Sequence, residues 1–162
     1  MPRASFQIRH VSQAGDLTAT LELFQAYALS LEVDLSYQDF AAEMAAKPGK
    51  YAPPSGGLLL ARDNDEQPVG CVGLRPPPID GCCEMKRLYV SPRGRGLGPG
   101  KALMNAIVKE AKLIGYREIR LDTLPTMTEA ISLYKKAGFV SIDPYYETPV
   151  VGTLFLAKRL VV

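Results

Sequence analysis

The spacing of hydrophobic residues along the chain predicts short strands alternating with longer helices. Apolar residues three or four positions apart, such as Leu103, Ile107 and Ala111, are typical of a helix that packs on one side, and Gly115 is expected to end it. Short apolar runs bounded by turn residues predict strands. The predicted strands are residues 7–11, 58–61, 68–74, 82–90, 118–123, 139–142 and 152–160, and the predicted helices are residues 16–31, 36–45, 101–114 and a short one that ends at Gly138.

The order of these elements predicts one α/β domain that spans residues 1–162. One strand, two helices, three strands, a helix, a strand, a helix and two strands follow one another, so we expect a mixed sheet with helices on its faces. A chain of 162 residues has room for one domain with a proper core and too little for two ordinary ones. Thr126 and Glu129 have the spacing of a capping box, which predicts the start of the last helix.

The charge balance and the apolar runs exclude several classes of protein. The formal net charge is +2, far from the excess typical of a nonspecific nucleic-acid binder, so no nucleic-acid partner is expected. No apolar run approaches the roughly 18 residues needed to span a bilayer, and the N-terminus lacks the apolar stretch of a signal peptide. We therefore expect no membrane partner.

The three cysteines favour a reducing compartment. Cys71, Cys82 and Cys83 form no Cys-x-x-Cys pair, and the chain has one histidine, His10, so no metal site is expected. An odd number of cysteines with two of them adjacent also argues against a secreted disulfide framework. The sequence therefore predicts buried free thiols and a cytoplasmic location.

Glycine and basic residues are concentrated between the predicted strand 82–90 and the predicted helix 101–114. Alternating glycines remove side chains from the backbone, so a phosphate can approach the N–H groups at the helix start, where the helix dipole is positive. Residues 86–101 include five basic residues and no acidic one. Pro99 suits the first helical turn. The segment, with its glycines at 94, 96, 98 and 100, therefore predicts an anion site.

Two common phosphate-binding motifs do not fit this segment. A Walker loop would need a glycine where Arg95 stands and a hydroxyl residue where Ala102 follows Lys101. A dinucleotide-binding fingerprint fails in every register, because its last glycine would fall on a proline, a lysine or a leucine. Hydrolysis of a nucleoside triphosphate and binding of a dinucleotide are therefore not expected.

The segment resembles the Arg/Gln-x-x-Gly-x-Gly/Ala loop of the GNAT superfamily of N-acetyltransferases, in which a strand ending in Val-x-Pro leads into the loop. Two registers fit, one that begins at Arg93 and one that begins at Arg95. The second agrees better with Val90-x-Pro92 and with the helix start. In that family the loop amides hold the pyrophosphate of coenzyme A. The resemblance implies that acetyl-CoA is the cofactor, with binding residues Arg95, Gly96, Leu97, Gly98, Gly100 and Lys101.

The resemblance extends to residues 126–139, which end in Ala130-x-x-Leu133-Tyr134-x-x-x-Gly138-Phe139. This stretch looks like the family's second signature, whose tyrosine protonates the departing coenzyme A thiolate, so Tyr134 is the implied general acid and cofactor contact. Met127 stands where many members carry an asparagine. The family fold implies a mixed, mostly antiparallel sheet of six to seven strands flanked by about four helices. Residues 84–90 are similar to its central strand, which implies cofactor contacts at Leu88, Tyr89 and Val90.

Acetylation of an amine also requires a proton acceptor and a donor to the oxyanion. An alkyl ammonium has an unperturbed pKa of about 10, so it must lose a proton before it attacks. Glu84 is the candidate base, directly or through a water, because strand alternation places Glu84, Lys86 and Leu88 on one face. An ion pair of Glu84 with Lys86 or Arg87 is the alternative. The splay beside the central strand implied by the resemblance leaves amides free, so the amide of Leu88 or Tyr89 is the expected oxyanion donor.

The acceptor is predicted only in outline. Tyr145 and Tyr146 lie in a loop bracketed by prolines and either wall the acceptor pocket or pack on a neighbouring strand or on the partner of a homodimer. Arg75 could meet a carboxylate of the acceptor. We expect direct transfer of the acetyl group to a primary amine of a small molecule, an amino acid or a peptide. A non-catalytic module that binds acyl-CoA or a nucleotide is the alternative hypothesis, and nucleic-acid binding by the glycine-rich segment is a third.

Overall fold

The computed structural model describes residues 5–31, 42, 48–76 and 81–160, and their elements follow the predicted order. The predicted helix over residues 36–45 lies outside the described residues except for Ala42. Two short 3₁₀ turns, Gly49–Tyr51 and Pro92–Gly94, join longer elements. The strands are β1 (Phe6–His10), β2 (Gly57–Asp63), β3 (Pro68–Arg75), β4 (Cys82–Val90), β5 (Glu118–Thr123), β6 (Val140–Ser141) and β7 (Leu154–Arg159), and the helices are α1 (Ala14–Ser30), α2 (Pro99–Ile114) and α3 (Thr128–Lys136).

The strands form one sheet of seven in the order β1-β2-β3-β4-β5-β7-β6. All neighbours pair antiparallel except β4 and β5, which run parallel. The prediction of a mixed, mostly antiparallel sheet of six to seven strands is confirmed. The described residues contain three α-helices, so the predicted number of about four depends on a segment outside them.

Helices cover both faces of the sheet because side chains alternate along its strands. Leu58 and Leu60 of β2 pack with Phe24 of α1 in one buried cluster. Leu59, between them, belongs to the opposite cluster together with Leu103 of α2. The sheet therefore separates two apolar layers, with α1 on one side and α2 and α3 on the other.

Both ends of α2 follow the predicted chemistry, whereas the start of α3 does not. Gly115 adopts a left-handed backbone with φ 108° and its N–H bonds to the last helical carbonyls, which ends α2 as expected. The predicted capping box is wrong, because α3 begins only at Thr128 and its N-cap, Met127, makes no side-chain cap bond. Thr126 lies one residue too early, and backbone hydrogen bonds close the turn instead.

The prediction of buried free thiols is confirmed. Cys71, Cys82 and Cys83 are all buried and none forms a disulfide. Burial raises the pKa of each thiol above its ordinary value, so the thiolate forms are disfavoured.

Candidate functional site

The candidate site begins where β4 and β5 separate. The parallel register joins Cys82 to Glu118 and continues to its last pair, Glu84 with Arg120. On its other edge β4 stays paired with β3 as far as Val90. Beyond Glu84, β4 therefore has a strand on one edge and an opening on the edge that faces β5.

A bulge in β4 changes which face its later side chains occupy. Between the pairs Gly73–Lys86 and Cys71–Tyr89 the register shifts, and Arg87 has a φ of 60°. An extra residue in one strand of an antiparallel pair produces such a bulge and reverses the alternation beyond it. Leu88 accordingly packs in the cluster of α2 and Tyr89 in the cluster of α1.

This bulge corrects one prediction. Strand alternation was expected to place Leu88 on the face of Glu84 and Lys86. Met85 and Leu88 instead contact the same apolar cluster, on the opposite face of the sheet. The prediction assumed uninterrupted alternation along β4. The bulge inserts one extra residue, so the side chains after it change face.

The glycine-rich segment turns the chain from β4 into α2. Ser91 caps the 3₁₀ turn by accepting a hydrogen bond from the Gly94 N–H, 3.3 Å away. Gly96 and Gly98 have φ of 89° and 80°, a region that glycine enters without strain. Gly98 is the N-cap of α2 and Pro99 lies in its first turn. The first N–H groups of α2, which have no partner within the helix, therefore lie directly beside two residues without side chains.

An open cleft of about 1180 Å³ runs along this segment. The open edge of β4 forms one side, and α1, the start of α2 and the start of α3 form the others. Tyr27 of α1 and Met127 at the start of α3 both line it. The lining residues are Tyr27, Ser30, Leu31, Leu88, Tyr89, Val90, Gly94, Arg95, Gly96, Gly98, Pro99, Gly100, Leu124, Thr126, Met127, Thr128, Glu129, Ala130 and Leu133.

Most of the predicted cofactor-binding residues line this cleft, and three do not, one of which, Tyr134, lines a small adjoining chamber instead. Leu97 and Lys101 are exposed and lie outside the lining. Arg93 also lies outside it, because its guanidinium is paired with Asp63 at 2.6 Å and with Asp65 at 3.1 Å. The predicted residues that line the cleft are Leu88, Tyr89, Val90, Arg95, Gly96, Gly98 and Gly100. The position of Arg93 favours the register that begins at Arg95.

A small chamber of about 30 Å³ adjoins the inner end of the cleft. Tyr27, Leu88 and Met127 line both spaces, so the two are adjacent. The volume suits one or two small groups the size of a water molecule. The lining residues are Tyr27, Met85, Lys86, Arg87, Leu88, Leu121, Asp122, Thr123, Met127 and Tyr134.

Tyr134 places a phenol at this chamber. Its side chain is 6% exposed, and its ring packs against Phe139 with centroids 5.8 Å apart. Burial, and then the nearby Tyr27 and Asp122, raise the pKa of Tyr134 above its ordinary value of 10. The hydroxyl therefore keeps its proton at neutral pH and is a potential proton donor to a group in the chamber.

Glu84 lies outside the chamber and is held by two partners. Arg75 donates from Nε to Glu84 Oε1 at 3.0 Å, and the Tyr145 hydroxyl donates to Oε2 at 2.7 Å. Arg75 and Glu84 are opposite one another on β3 and β4, which explains their pairing. The predicted alternative was an ion pair of Glu84 with Lys86 or Arg87, and the structure pairs Glu84 with Arg75.

Asp122 has a similar pair of partners but faces the chamber. Lys86 Nζ lies 3.2 Å from Asp122 Oδ1, and the Tyr146 hydroxyl donates to Oδ2 at 2.7 Å. The rings of Tyr145 and Tyr146 pack edge to face with each other and with Phe155. The three predicted acceptor contacts, Arg75, Tyr145 and Tyr146, are thus brought together around two carboxylates.

Sequence patterns assigned no catalytic role to four residues of the chamber. Tyr27 and Asp122 belong to no recognised motif, Lys86 was included only as a basic residue of the strand 84–90, and Met127 was visible only as a departure from an expected asparagine. Their proximity results from tertiary contacts between α1, β4, β5 and the start of α3. The one available signal for Asp122 was its polar character at the end of an apolar strand.

The described residues contain neither a membrane-spanning helix nor a cluster of metal-binding side chains. No described helix is both long enough and apolar enough to cross a membrane. Within the described ranges, histidine, cysteine, aspartate and glutamate do not gather in groups of three or more that could hold a metal ion.

Comparison with known proteins places the chain among acetyltransferases. Residues 17–139 match the family model described as "Acetyltransferase (GNAT) family". An uncharacterized N-acetyltransferase of Schizosaccharomyces pombe is 38% identical over 160 residues, which cover 99% of this chain and 98% of the relative.

Solved structures share the fold at lower identity. An acetyltransferase of the GNAT family from Staphylococcus aureus superimposes with a TM-score of 0.79 and 20% identity, over 96% of this chain and 99% of that chain. The YncA protein of Salmonella typhimurium, solved with its cofactor acetyl-CoA, superimposes with a TM-score of 0.70 and 19% identity, over 97% of this chain and 95% of that one.

Proposed function

Because the chain belongs to the GNAT family of acetyltransferases, we propose that it transfers the acetyl group of acetyl-CoA directly to a primary amine of a small molecule, an amino acid or a peptide. The observation that carries the proposal is the position of the cleft and of the chamber that adjoins it. The cleft runs from the glycine-rich start of α2 along the open edge of β4, and the chamber lies next to it beside Tyr134. An extended donor with a phosphate at one end and a thioester at the other suits such a space.

The outer part of the cleft fits the pyrophosphate of the donor. Unpaired N–H groups at the start of α2 and the positive end of its dipole favour an anion there. Arg95 lines the same part of the cleft and adds a fixed positive charge. Gly96 and Gly98 let a phosphate come close to the backbone. We place the pyrophosphate on this segment, with Lys101 contributing through its backbone N–H group. The Leu97 N–H donates instead to the Gly94 carbonyl at 3.1 Å.

The open edge of β4 fits the pantetheine arm and the thioester. The pairing of β4 with β5 ends before Leu88, Tyr89 and Val90. A pantetheine arm that lies along these three residues would form hydrogen bonds with backbone groups on this edge of β4. The amide of Leu88 or Tyr89 is then the donor to the oxyanion of the tetrahedral intermediate.

The reaction needs alignment and proton transfers but no covalent intermediate with the protein. The neutral amine nitrogen attacks the thioester carbonyl carbon, the carbon–sulfur bond breaks, and Tyr134 gives its proton to the departing thiolate. The tetrahedral nitrogen then returns a proton to the Tyr134 phenolate. Glu84, the predicted base, lies outside the chamber and is held there by Arg75, so it does not itself line the space in which the amine would react.

The proposal is tested by mixing the protein with acetyl-CoA and a panel of L-amino acids, aliphatic diamines and dipeptides. We expect release of free coenzyme A thiol with at least one amine, and a mass gain of one acetyl group on that amine. Binding of acetyl-CoA by calorimetry without thiol release from any amine would favour a non-catalytic acyl-CoA-binding module. The absence of any binding would contradict the whole assignment.

The proposed cytoplasmic location rests on the three cysteine thiols. Three buried free cysteines suit a reducing compartment, so we place the enzyme in the cytoplasm.

A further inference from the structure

The two carboxylates beside the opening of the sheet have closely matched surroundings. Glu84 is bound by one cation, Arg75, and one tyrosine, Tyr145. Asp122 is bound by one cation, Lys86, and one tyrosine, Tyr146. Both are more than nine-tenths buried, with side chains 6% exposed. Asp122 lines the chamber and Glu84 does not.

We propose that Asp122 is the carboxylate that accepts the proton of the acceptor ammonium, in the chamber that it shares with Tyr134. The inference rests on the proposed acetyl transfer and deepens it. It gives Glu84 a positioning role, in which the Glu84 carboxylate holds Tyr145 beside Tyr146 and so fixes the partner of Asp122.

The two proton-transfer groups line the same small chamber. Asp122 and Tyr134 both line a space with room for an amine nitrogen and the thioester carbon, but not for much more. The charge of Asp122 contributes to the raised pKa of Tyr134, which indicates that the two groups are close. Attack by an amine requires a base that takes its proton, and departure of a thiolate requires an acid that protonates it. The chamber supplies one of each.

Lys86 favours the neutral form of an entering amine. Its ammonium is 5% exposed and lies 3.2 Å from Asp122 Oδ1. A second cation in the same buried space is disfavoured by like-charge repulsion and by loss of hydration, so the pKa of an entering ammonium falls. The titratable and charged groups that face Asp122 are Lys86, Arg87, Tyr27, Tyr134, Tyr145 and Tyr146.

The proton balance closes without another reactant. The acceptor R–NH₃⁺ gives one proton to the Asp122 carboxylate, which becomes a carboxylic acid, and R–NH₂ forms the new carbon–nitrogen bond. Tyr134 protonates the sulfur as the carbon–sulfur bond breaks and regains a proton from the new amide nitrogen. Asp122 then releases its proton to water, so that one amide, one thiol and one proton leave.

The test compares Asp122→Asn with Glu84→Gln and with Glu118→Gln, which removes a β5 carboxylate away from the chamber. The value of kcat/KM is measured between about pH 6 and pH 9.5 with the amine from the panel that reacts fastest. For Asp122→Asn we expect a loss of about a hundredfold near neutral pH. The loss should narrow as the pH rises, because a growing fraction of the amine is already neutral. Glu84→Gln and Glu118→Gln should keep the shape of the wild-type profile.

Folding of each variant is checked by its affinity for acetyl-CoA, which should stay within about threefold of wild type. A second variant, Asp122→Glu, keeps the charge beside Lys86 and moves the carboxylate by one methylene, so we expect turnover at least about tenfold below wild type. Wild-type turnover in either Asp122 variant, or a loss that is the same at every pH, would overturn the inference. A pH-dependent loss in Glu84→Gln would assign the proton to Glu84. If the proposed acetyl transfer itself is wrong, the wild-type protein acetylates no amine of the panel, and this result is distinct from any result with the Asp122 variants.

Discussion

The two ends of β4 differ in what stands beside them. At its start, Cys82, Cys83 and Glu84 pair with β5 on one edge, and Glu84 also pairs with Arg75 of β3 on the other. From Met85 onwards only β3 continues, a bulge follows at Arg87, and a cleft takes the place of β5. We call these the closed end and the open end of β4.

The difference shows how a continuous sheet can accept a ligand between two of its strands. At the closed end, backbone groups satisfy one another and side chains pair across strands, as Arg75 does with Glu84. At the open end, backbone groups along one edge of β4 are available to a ligand, and buried polar groups cost free energy unless they are bonded. The open end is therefore where binding and chemistry are expected, and the closed end is where stability is expected.

The strongest test of this comparison removes one hydroxyl at the open end. In Tyr134→Phe the ring still packs against Phe139, but the proton for the thiolate is lost. We expect kcat to fall by about a hundredfold, with the affinity for acetyl-CoA unchanged within about threefold. Steady-state kinetics and calorimetry measure the two quantities.

A matched tyrosine provides the control. The Tyr116 hydroxyl bonds to the Ser55 carbonyl and lies outside the cleft and the chamber, so Tyr116→Phe should keep the wild-type kcat. If Tyr134→Phe also keeps the wild-type kcat, then Tyr134 is not the acid and the open end is a binding feature only.

The next test separates two arginines of the glycine-rich segment. Arg95 lines the cleft, whereas Arg93 is paired with Asp63 and Asp65. Arg95→Ala should weaken acetyl-CoA binding by about tenfold, and the effect should shrink at high salt because the contact is between charges. Arg93→Ala should leave the affinity unchanged. The opposite result would mean that the loop register begins at Arg93.

The strands and helices that form this comparison were predictable, because each is bounded by a local signal. The observed bounds of β4 and β5 are the predicted ones, residues 82–90 and 118–123. Apolar runs and the glycines and prolines between them carry that information. The glycine-rich segment was equally visible, since four glycines before a helix are a local pattern.

The open end itself was harder to predict in detail. A non-glycine residue at φ 60° has no local signal, so the bulge at Arg87 and the exchange of faces beyond it were missed. The bonds of Tyr145 to Glu84 and of Tyr146 to Asp122 join residues 61 and 24 positions apart. Such pairs depend on tertiary packing rather than on any pattern within a short segment.

A smaller effect is expected from two glycines at opposite ends of α2. Gly98 and Gly115 have φ of 80° and 108°, and a Cβ at either position would meet no atom within 4 Å. Alanine should therefore cost each variant about 1 kcal/mol of backbone strain, seen as a melting temperature lower by about 2–4 °C. Gly98→Ala should also weaken acetyl-CoA binding, by about fivefold, because its Cβ stands where a phosphate approaches the backbone.

Gly115→Ala separates strain from binding in this pair. Gly115→Ala should lower the melting temperature by the same amount as Gly98→Ala. It should keep the wild-type affinity for acetyl-CoA, since Gly115 lies at the end of α2 away from the glycine-rich segment. Equal affinities in the two variants would show that the phosphate does not approach Gly98.

The smallest effect is expected at the closed end, from the charge of Glu118. Burial by itself raises the pKa of the Glu118 carboxyl, but hydrogen bonds from Arg120 and Cys82 and the charges of Arg120 and Arg159 lower it on balance below its ordinary value of 4.5. A carboxyl whose pKa is lower in the folded state stabilises the fold above its unfolded pKa, and this stabilisation is lost as the pH falls through the folded value.

Glu118→Gln should therefore lower the free energy of unfolding by about 1 kcal/mol or less at pH 7, since the pair with Arg120 is partly exposed. Denaturant unfolding of both proteins should show this difference shrinking towards zero as the pH falls below about 4. Acetyl-CoA affinity should not change, and a variant that binds the donor more weakly would contradict the separation of the two ends of β4.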